Sequence, residues 1–142
     1  MSYGYARNAT TMYQQNSVRG GVEDADPHQL VSLLLDGAID RIAQARGFTT
    51  HGDVAGKGSC IARALAILGE LRGSLDHTAD PTLSGRLDSL YDYISRRLLY
   101  AQLNDDVGAM DEAIGLLNPV REGWQGIRAS YLAGRAKLAA AI

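Results

Sequence analysis

The stretch "RLDSLYDYISRRLLYAQLND", residues 86–105, contains the periodic pattern that decides the fold. A helix turns by about 100° per residue, so side chains three and four positions apart share one side. Five apolar side chains follow that spacing, and we expect them to face a core: Leu87, Leu90, Tyr91, Ile94 and Leu98. Tyr93 and Tyr100 lie away from that side, with Arg96 between them. The stretch therefore predicts a long helix whose other side is also suited to contacts.

Helical spacing of apolar residues occurs three more times along the chain. Asp26-Pro27 and Asp80-Pro81 are start signals, because aspartate caps free backbone N–H groups and proline fits the first helical turn. We predict four helices with these approximate bounds: 27–46, 53–76, 81–103 and 106–132. No amphipathic helix buries its apolar stripe alone, whereas four packed antiparallel share one core. The predicted fold class is all-α, an antiparallel four-helix bundle.

Two segments lie outside the predicted bundle of residues 27–132. Residues 1–26 are polar and have no sustained period, so we predict a mobile N-terminal arm or cap with a short helical turn near Tyr13. Residues 133–142 are expected to form a C-terminal tail that frays. The bundle is thus predicted as one domain with an appendage at each end.

Pro119 lies inside the fourth predicted helix. Proline in a helix interior removes one hydrogen bond and clashes with the preceding turn, at a cost of about 3 kcal/mol. We therefore expect the fourth helix to kink or restart near residues 116–118. The end of the first helix is assigned to Gly47, and "FTTHG" is predicted to be a loop.

The composition predicts a globular, cytoplasmic protein of one domain. The formal net charge of −2 over 142 residues gives no broad cationic field for nucleic acid or for an anionic membrane. No apolar run is long enough to insert across a bilayer, and the first residues lack the apolar stretch of a secretory signal. The single cysteine, Cys60, has no partner for an internal disulfide, in agreement with a reduced compartment.

The sequence lacks the residue patterns of an enzyme or a metalloprotein. A di-iron site in a helical bundle needs Glu-x-x-His pairs, and no glutamate has a histidine three residues later. His28, His51 and His77 have no metal-ligand spacing. We therefore predict no enzymatic activity, no catalytic residues, no metal and no cofactor.

The second side of the third helix has two interpretations. Tyr93 and Tyr100, with Leu99 and Leu103 nearby, either lie flat on the bundle with solvated hydroxyls or form a groove for an apolar partner segment. Tyrosine and arginine are enriched at the centres of binding surfaces, which favours the groove and includes Arg96 in it. A homodimer formed through this surface is a structural alternative.

Four blocks of the sequence resemble the flagellar export chaperone FliS family, in the same order and spacing. They are "YQQNSV" at 13–18, "DPHQLVSLLLDGAI" at 26–39, "LYDYISRRLLYAQLNDD" at 90–106 and "GLLNPVREGW" at 115–124. The likeness covers roughly residues 12–130. Its most specific part is "YDYISRRL" followed by "ND".

The resemblance implies a cytoplasmic helical bundle that binds the disordered C-terminal segment of flagellin. It also implies that the protein blocks premature polymerisation and delivers flagellin to the flagellar type III export apparatus. Tyr13 matches the tyrosine of a segment that folds back over part of the client groove in this family. We therefore predict these client-binding residues: Tyr13, Tyr93, Arg96, Leu99, Tyr100 and Leu103. The alternative is a homodimeric helical interaction module without a flagellin client, and a weak homodimer is a further expected partner state.

Overall fold

A computed structural model describes residues 25–141, with the side chains of residues 25–137. This part of the chain is helical and contains no strand, which confirms the all-α fold. Five helices follow one another: α1 Pro27–Thr50, α2 Val54–Gly73, α3 Pro81–Asn104, α4 Val107–Gly126 and α5 Arg128–Ala141. The N-terminal arm up to residue 24, with Tyr13, lies outside the described residues.

Each of the first four helices begins at an aspartate that caps its free backbone N–H groups. The four N-cap residues are Asp26, Asp53, Asp80 and Asp106. At α1 the capping box is complete, since the Asp26 carboxylate accepts from the Gln29 backbone N–H at 2.8 Å and the Gln29 side chain accepts from the Asp26 backbone. The two start signals predicted from Asp-Pro pairs are confirmed, because capping depends on a few consecutive residues.

The first four helices form a closed ring of neighbours. Helix α1 packs against α2 and α4, and α3 packs against the same two helices from the opposite corner. Each helix contributes an apolar stripe to one shared core, whose fully buried members include Ile42, Leu68, Leu98 and Leu117. This is the predicted four-helix bundle, with short links between antiparallel neighbours.

Leu83 and Ile127 follow the helical spacing of apolar residues, which predicts that they are core, but both are exposed. Leu83 in the first turn of α3 is 53% exposed, and Ile127 between α4 and α5 is 47% exposed. Both lie at helix ends, where the neighbouring helices no longer cover the stripe. The predicted end of α1 at Gly47 is also wrong, because the helix continues to Thr50. Its last turn is supported by the Thr49 hydroxyl, which donates to the carbonyl of residue 45 at 2.7 Å.

Pro119 does not interrupt α4. The helix is continuous from Val107 to Gly126, so the restart predicted near residues 116–118 is wrong. The carbonyl that loses its partner belongs to Gly115, and both Gly115 and Pro119 are exposed. Water can therefore hydrogen-bond that carbonyl, which lowers the cost of the proline. The break in the helix lies at Ile127 instead.

Helix α5 includes most of the predicted C-terminal tail. The backbone is helical to Ala141, so the predicted boundary after residue 132 falls inside a helix. Residues 132–137 are exposed, and α5 contacts the bundle mainly through α4 and the start of α1. The described side chains of the tail, residues 133–137, therefore lie on a helical extension outside the packed core.

A turn of two residues joins α3 to α4 and determines where α3 ends. Asp105 adopts a left-handed conformation with φ 51°, and Asp106 then caps α4. Lys57 of α2, whose side chain is only 6% exposed, donates to the Gln102 carbonyl at 3.0 Å and to the Asp105 carboxylate. The "ND" motif therefore ends α3 at a fixed point next to α2.

Candidate functional site

The outer face of α3 carries the five described residues of the predicted client surface. Leu103 is 83% exposed and Tyr93 37%, and the other three residues of the set are exposed as well: Arg96, Leu99 and Tyr100. Tyr91, Ile94 and Leu98 are buried in the core, as their helical position predicts. We call the five exposed residues the α3 outer surface.

The α3 outer surface has two flanks that border different helices. Tyr93 borders α4, because its hydroxyl donates to the Glu112 carboxylate at 2.7 Å. Leu99 lies two turns after Asp92, which pairs with Arg72 of α2 at 3.4 Å. Leucine side chains therefore lie toward α2 and the tyrosines toward α4. An amphipathic segment that follows α3 would meet both.

Ion pairs from α2 hold the polar side of this surface. Arg72 donates to the Asp88 carboxylate at 2.8 Å, and hydrogen bonding to Arg72 lowers the pKa of Asp88. The Asp92 carboxylate contacts both Arg72 and Arg96, the latter at 3.1 Å. It therefore connects the Arg72–Asp88 pair to Arg96 of the α3 outer surface. The Arg96 guanidinium therefore has a carboxylate partner on its own helix and is still exposed to a binding partner.

A second set of polar contacts comes from α4. Glu112 accepts from Tyr93 with one carboxylate oxygen and from Arg97 with the other, at 2.7 and 2.8 Å. The Arg97 guanidinium lies 4.9 Å from the centre of the Tyr100 ring, a cation–π distance. The hydrogen bond to Glu112 raises the pKa of the Tyr93 hydroxyl, while the bonds from Tyr93 and Arg97 lower the pKa of Glu112.

An apolar cleft opens where α1 begins, and the sequence did not predict it. It consists of two adjoining cavities of about 300 Å³ and 260 Å³ that share Val31, Ser74 and Trp124 in their walls. Leu75 and Leu87 line the second cavity. Helical spacing predicts that Leu87 faces the core, but Leu87 is only half-buried, as are Leu75 and Trp124. We call this feature the apolar cleft.

Three carboxylates border this cleft, and two of them, Asp76 and Asp80, lie in the wall of the smaller cavity. Glu70 of α2 lies in the wall of the larger cavity, and its burial raises the pKa of its side chain. The cleft is otherwise lined mainly by leucine, valine and aromatic side chains. A partner segment with apolar side chains therefore suits it better than a polar metabolite does.

The described residues contain no group of three or more histidine, cysteine, aspartate or glutamate side chains that could hold a metal ion. Among the same residues, no helix combines the length and the apolarity that crossing a membrane requires. The features suited to binding are thus the α3 outer surface and the apolar cleft, both of which present apolar side chains to the solvent.

A family model described as "Flagellar protein FliS" matches residues 7–131 of the chain. The chain belongs to the FliS family. The match includes the α3 outer surface and the apolar cleft, and it extends into the arm before residue 25. The resemblance inferred from the four sequence blocks is therefore confirmed.

Individual FliS-family relatives align over most of their length. The chain is 42% identical to the flagellar secretion chaperone FliSB of Pseudomonas aeruginosa, over 87% of this chain and 98% of that protein. It is 38% identical to the flagellar secretion chaperone FliS of Salmonella typhimurium, over 92% and 99%. It is also 31% identical to the flagellar secretion chaperone FliS of Bacillus subtilis, over 84% and 85%.

Proposed function

We propose that this FliS-family protein is a cytoplasmic chaperone of flagellar export. Its client is the disordered C-terminal segment of flagellin, which it keeps from polymerising before delivery to the type III export apparatus. The observation that carries the proposal is the α3 outer surface, where aromatic and leucine side chains are exposed on a helix whose opposite side is core. Family membership supports the same function.

The exposed surfaces suit an amphipathic client better than a folded one. From Tyr93 to Leu103 the α3 outer surface extends over about 15 Å, the length of roughly three helical turns. A client helix would place its apolar side chains along this row, as other amphipathic helices do in grooves. A further stretch of the same client reaches the apolar cleft, so that one flexible segment wraps several faces of the bundle.

A disordered client also fits the need for release. Such a segment loses conformational entropy on binding, so a large wrapped surface still gives an affinity low enough for transfer. Binding and release need neither a covalent step nor a cofactor. The function is therefore that of a binding protein and not of an enzyme.

The N-terminal arm is the second part of the proposal. Residues 13–18, with Tyr13, act as a removable cap over the apolar surface that the client uses. Ala25 is the first described residue, and it adjoins the start of α1, which lines the apolar cleft. The chain from Tyr13 to Ala25 reaches up to about 40 Å when extended, enough for either surface.

Calorimetry with a synthetic flagellin C-terminal peptide tests the proposed function. We expect saturable binding at one site, and no binding of a peptide with the same composition in scrambled order. Sedimentation at several concentrations addresses the homodimer alternative, which predicts a mass that falls on dilution. A dimer that fails to bind the flagellin peptide would replace the chaperone proposal with the interaction module.

A further inference from the structure

Glu112 of α4 contacts one tyrosine of the α3 outer surface directly and the other through one arginine. Its two oxygens accept from the Tyr93 hydroxyl at 2.7 Å and from Arg97 Nε at 2.8 Å. Arg97 in turn lies over the Tyr100 ring, with 4.9 Å between the guanidinium carbon and the ring centre. One carboxylate on a neighbouring helix thus restrains both aromatic rings.

The charges agree with this geometry. The hydrogen bonds from Tyr93 and Arg97 keep the pKa of Glu112 below its usual value, so the carboxylate is ionised at neutral pH. The same contact raises the pKa of Arg97, whose positive charge the cation–π contact with Tyr100 requires. Both acceptor positions of Glu112 face α3, and its side chain is partly covered by these contacts.

We propose that Glu112 is a positioning residue that holds Tyr93 and Tyr100 in the orientation that the client requires. The inference rests on the proposed function, because it assigns a role within the same binding surface. Ordering flexible side chains during association costs free energy, and rings that are held in place beforehand avoid that cost. Glu112 orders the two rings from α4, through its contacts with Tyr93 and Arg97, although it is not part of the α3 outer surface.

The effect of Glu112 on binding is separable from its effect on folding. Exposed ion pairs contribute little to the stability of the folded state, so their loss leaves the melting temperature nearly unchanged. Asp111 offers a matched control on the same helix. Its carboxylate pairs with Arg46 of α1 at 2.6 Å and is more exposed than that of Glu112, but it does not contact α3.

The first experiment compares the affinity of Glu112→Ala and Asp111→Ala for the flagellin C-terminal peptide. We expect Glu112→Ala to bind about five- to tenfold more weakly, because two side chains must then be ordered on binding. Asp111→Ala is expected to bind like the parent, and both variants to melt close to it. Equal affinities for the two variants would overturn the inference.

A coupling experiment distinguishes positioning from a direct contact with the client. Glu112→Ala is introduced into a Tyr93→Phe, Tyr100→Ala background, which lacks the Tyr93 hydroxyl that Glu112 accepts from and the Tyr100 ring that Arg97 contacts. If Glu112 acts only through them, its effect on affinity disappears in that background. An unchanged five- to tenfold loss there would show that Glu112 touches the client itself, and the positioning role would be rejected.

A titration without any client tests the positioning role of Glu112 separately from the proposed binding of flagellin. In the parent, the Tyr93 ring faces Glu112, Arg97 and Arg96, and the hydrogen bond to Glu112 raises its pKa. We expect that pKa to fall toward the ordinary value of 10.0 in Glu112→Gln, followed by NMR of carbon-13-labelled tyrosine. An unchanged titration would overturn the positioning contact. A parent that fails to bind the peptide would overturn the proposed function, even if the titration shifts as expected.

Discussion

His28 and Trp124 exchange hydrogen bonds across the bundle while their rings stack. His28 Nε2 donates to the Trp124 carbonyl at 2.7 Å, and Trp124 Nε1 donates to the His28 carbonyl at 2.9 Å. The ring centres are 4.6 Å apart, with 9° between the ring planes. Arg128 Nη1 donates to His28 Nδ1 at 3.2 Å, so the imidazole carries its proton on Nε2. These contacts fix the first turn of α1 to the end of α4.

The first prediction concerns this junction. His28 is 1% exposed, and His28→Ala removes the stacking and the imidazole N–H that donates to the Trp124 carbonyl. We expect a loss of unfolding free energy on the order of 2–3 kcal/mol. Trp124 is the single tryptophan, so its fluorescence reports on the junction during urea denaturation.

His51 is the matched control for that measurement. It lies exposed at the end of α1, and within residues 25–137 its ring bonds only to the nearby Gly47 carbonyl, at 2.8 Å. His51→Ala should therefore change the unfolding free energy by less than about 0.5 kcal/mol. Similar losses for the two variants would contradict the role assigned to His28.

The second prediction is a pH dependence at the start of α1. Asp26 pairs with Arg128 at 2.7 Å, and this hydrogen bond holds its pKa far below the ordinary 3.8. Because the folded-state pKa is depressed, the stabilisation is complete above about pH 4 and is lost as the pH falls further. Asp26→Asn keeps an N-cap acceptor but removes the charge. Its melting temperature should be lower than that of the parent at pH 6, and the difference should shrink between pH 4 and pH 2.

The sequence was sufficient for features that depend on local residues. The Asp-Pro starts of α1 and α3 were predictable because capping involves four consecutive residues. The buried stripe of α3, with Ile94 and Leu98, follows from helical period alone. The exposure of Tyr93 and Tyr100 on the same helix follows from that period too.

Features that arise between helices were beyond the sequence. Nothing local distinguishes Glu112, which reaches Tyr93 because α3 and α4 are neighbours at that level. Leu87 repeats the core spacing of α3, yet it lines the apolar cleft, since burial depends on where the adjacent helices end. Helix α4 continues through Pro119, and both Pro119 and Gly115 lie on its exposed side, which likewise depends on how the helices pack.

The third prediction concerns the buried lysine at the turn between α3 and α4. Asp105→Asn tolerates the left-handed conformation but removes the carboxylate from Lys57, whose side chain is almost fully covered. We expect the free energy of unfolding, measured by denaturant titration, to fall by about 1–2 kcal/mol. The loss is smaller than for a fully buried ion pair because Asp105 itself is exposed. Adding Lys57→Met should recover part of that loss. A further loss in the double variant would contradict the charge-based explanation.

The fourth prediction concerns the arm. Deleting residues 1–18 should leave the helical melt largely intact, since the core consists of residues from α1 to α4. It should change the affinity for the flagellin C-terminal peptide, because the proposed cap and the client compete for one surface. Circular dichroism and calorimetry measure the two effects separately. A truncated chain that fails to fold would show that the arm belongs to the core.

Tyr93 and Ile94 are adjacent in sequence and have opposite expected roles. Ile94 is fully buried, and replacing such a side chain by alanine costs about 2–5 kcal/mol of stability. Tyr93 is exposed, so its truncation removes little that the folded state needs. At the centre of a binding surface, however, the loss of an aromatic side chain weakens affinity by roughly thirtyfold or more.

The fifth prediction uses this contrast to test the α3 outer surface. A Tyr93→Ala, Tyr100→Ala variant should melt close to the parent and bind the flagellin C-terminal peptide roughly thirtyfold more weakly. Ile94→Ala should mainly lower the melting temperature, and at a temperature where it remains folded it should bind nearly as the parent does. Differential scanning calorimetry and peptide titration give the two quantities. If the double variant binds like the parent, the tyrosines are only surface packing, and the client lies on another face, with the apolar cleft as the next surface to mutate.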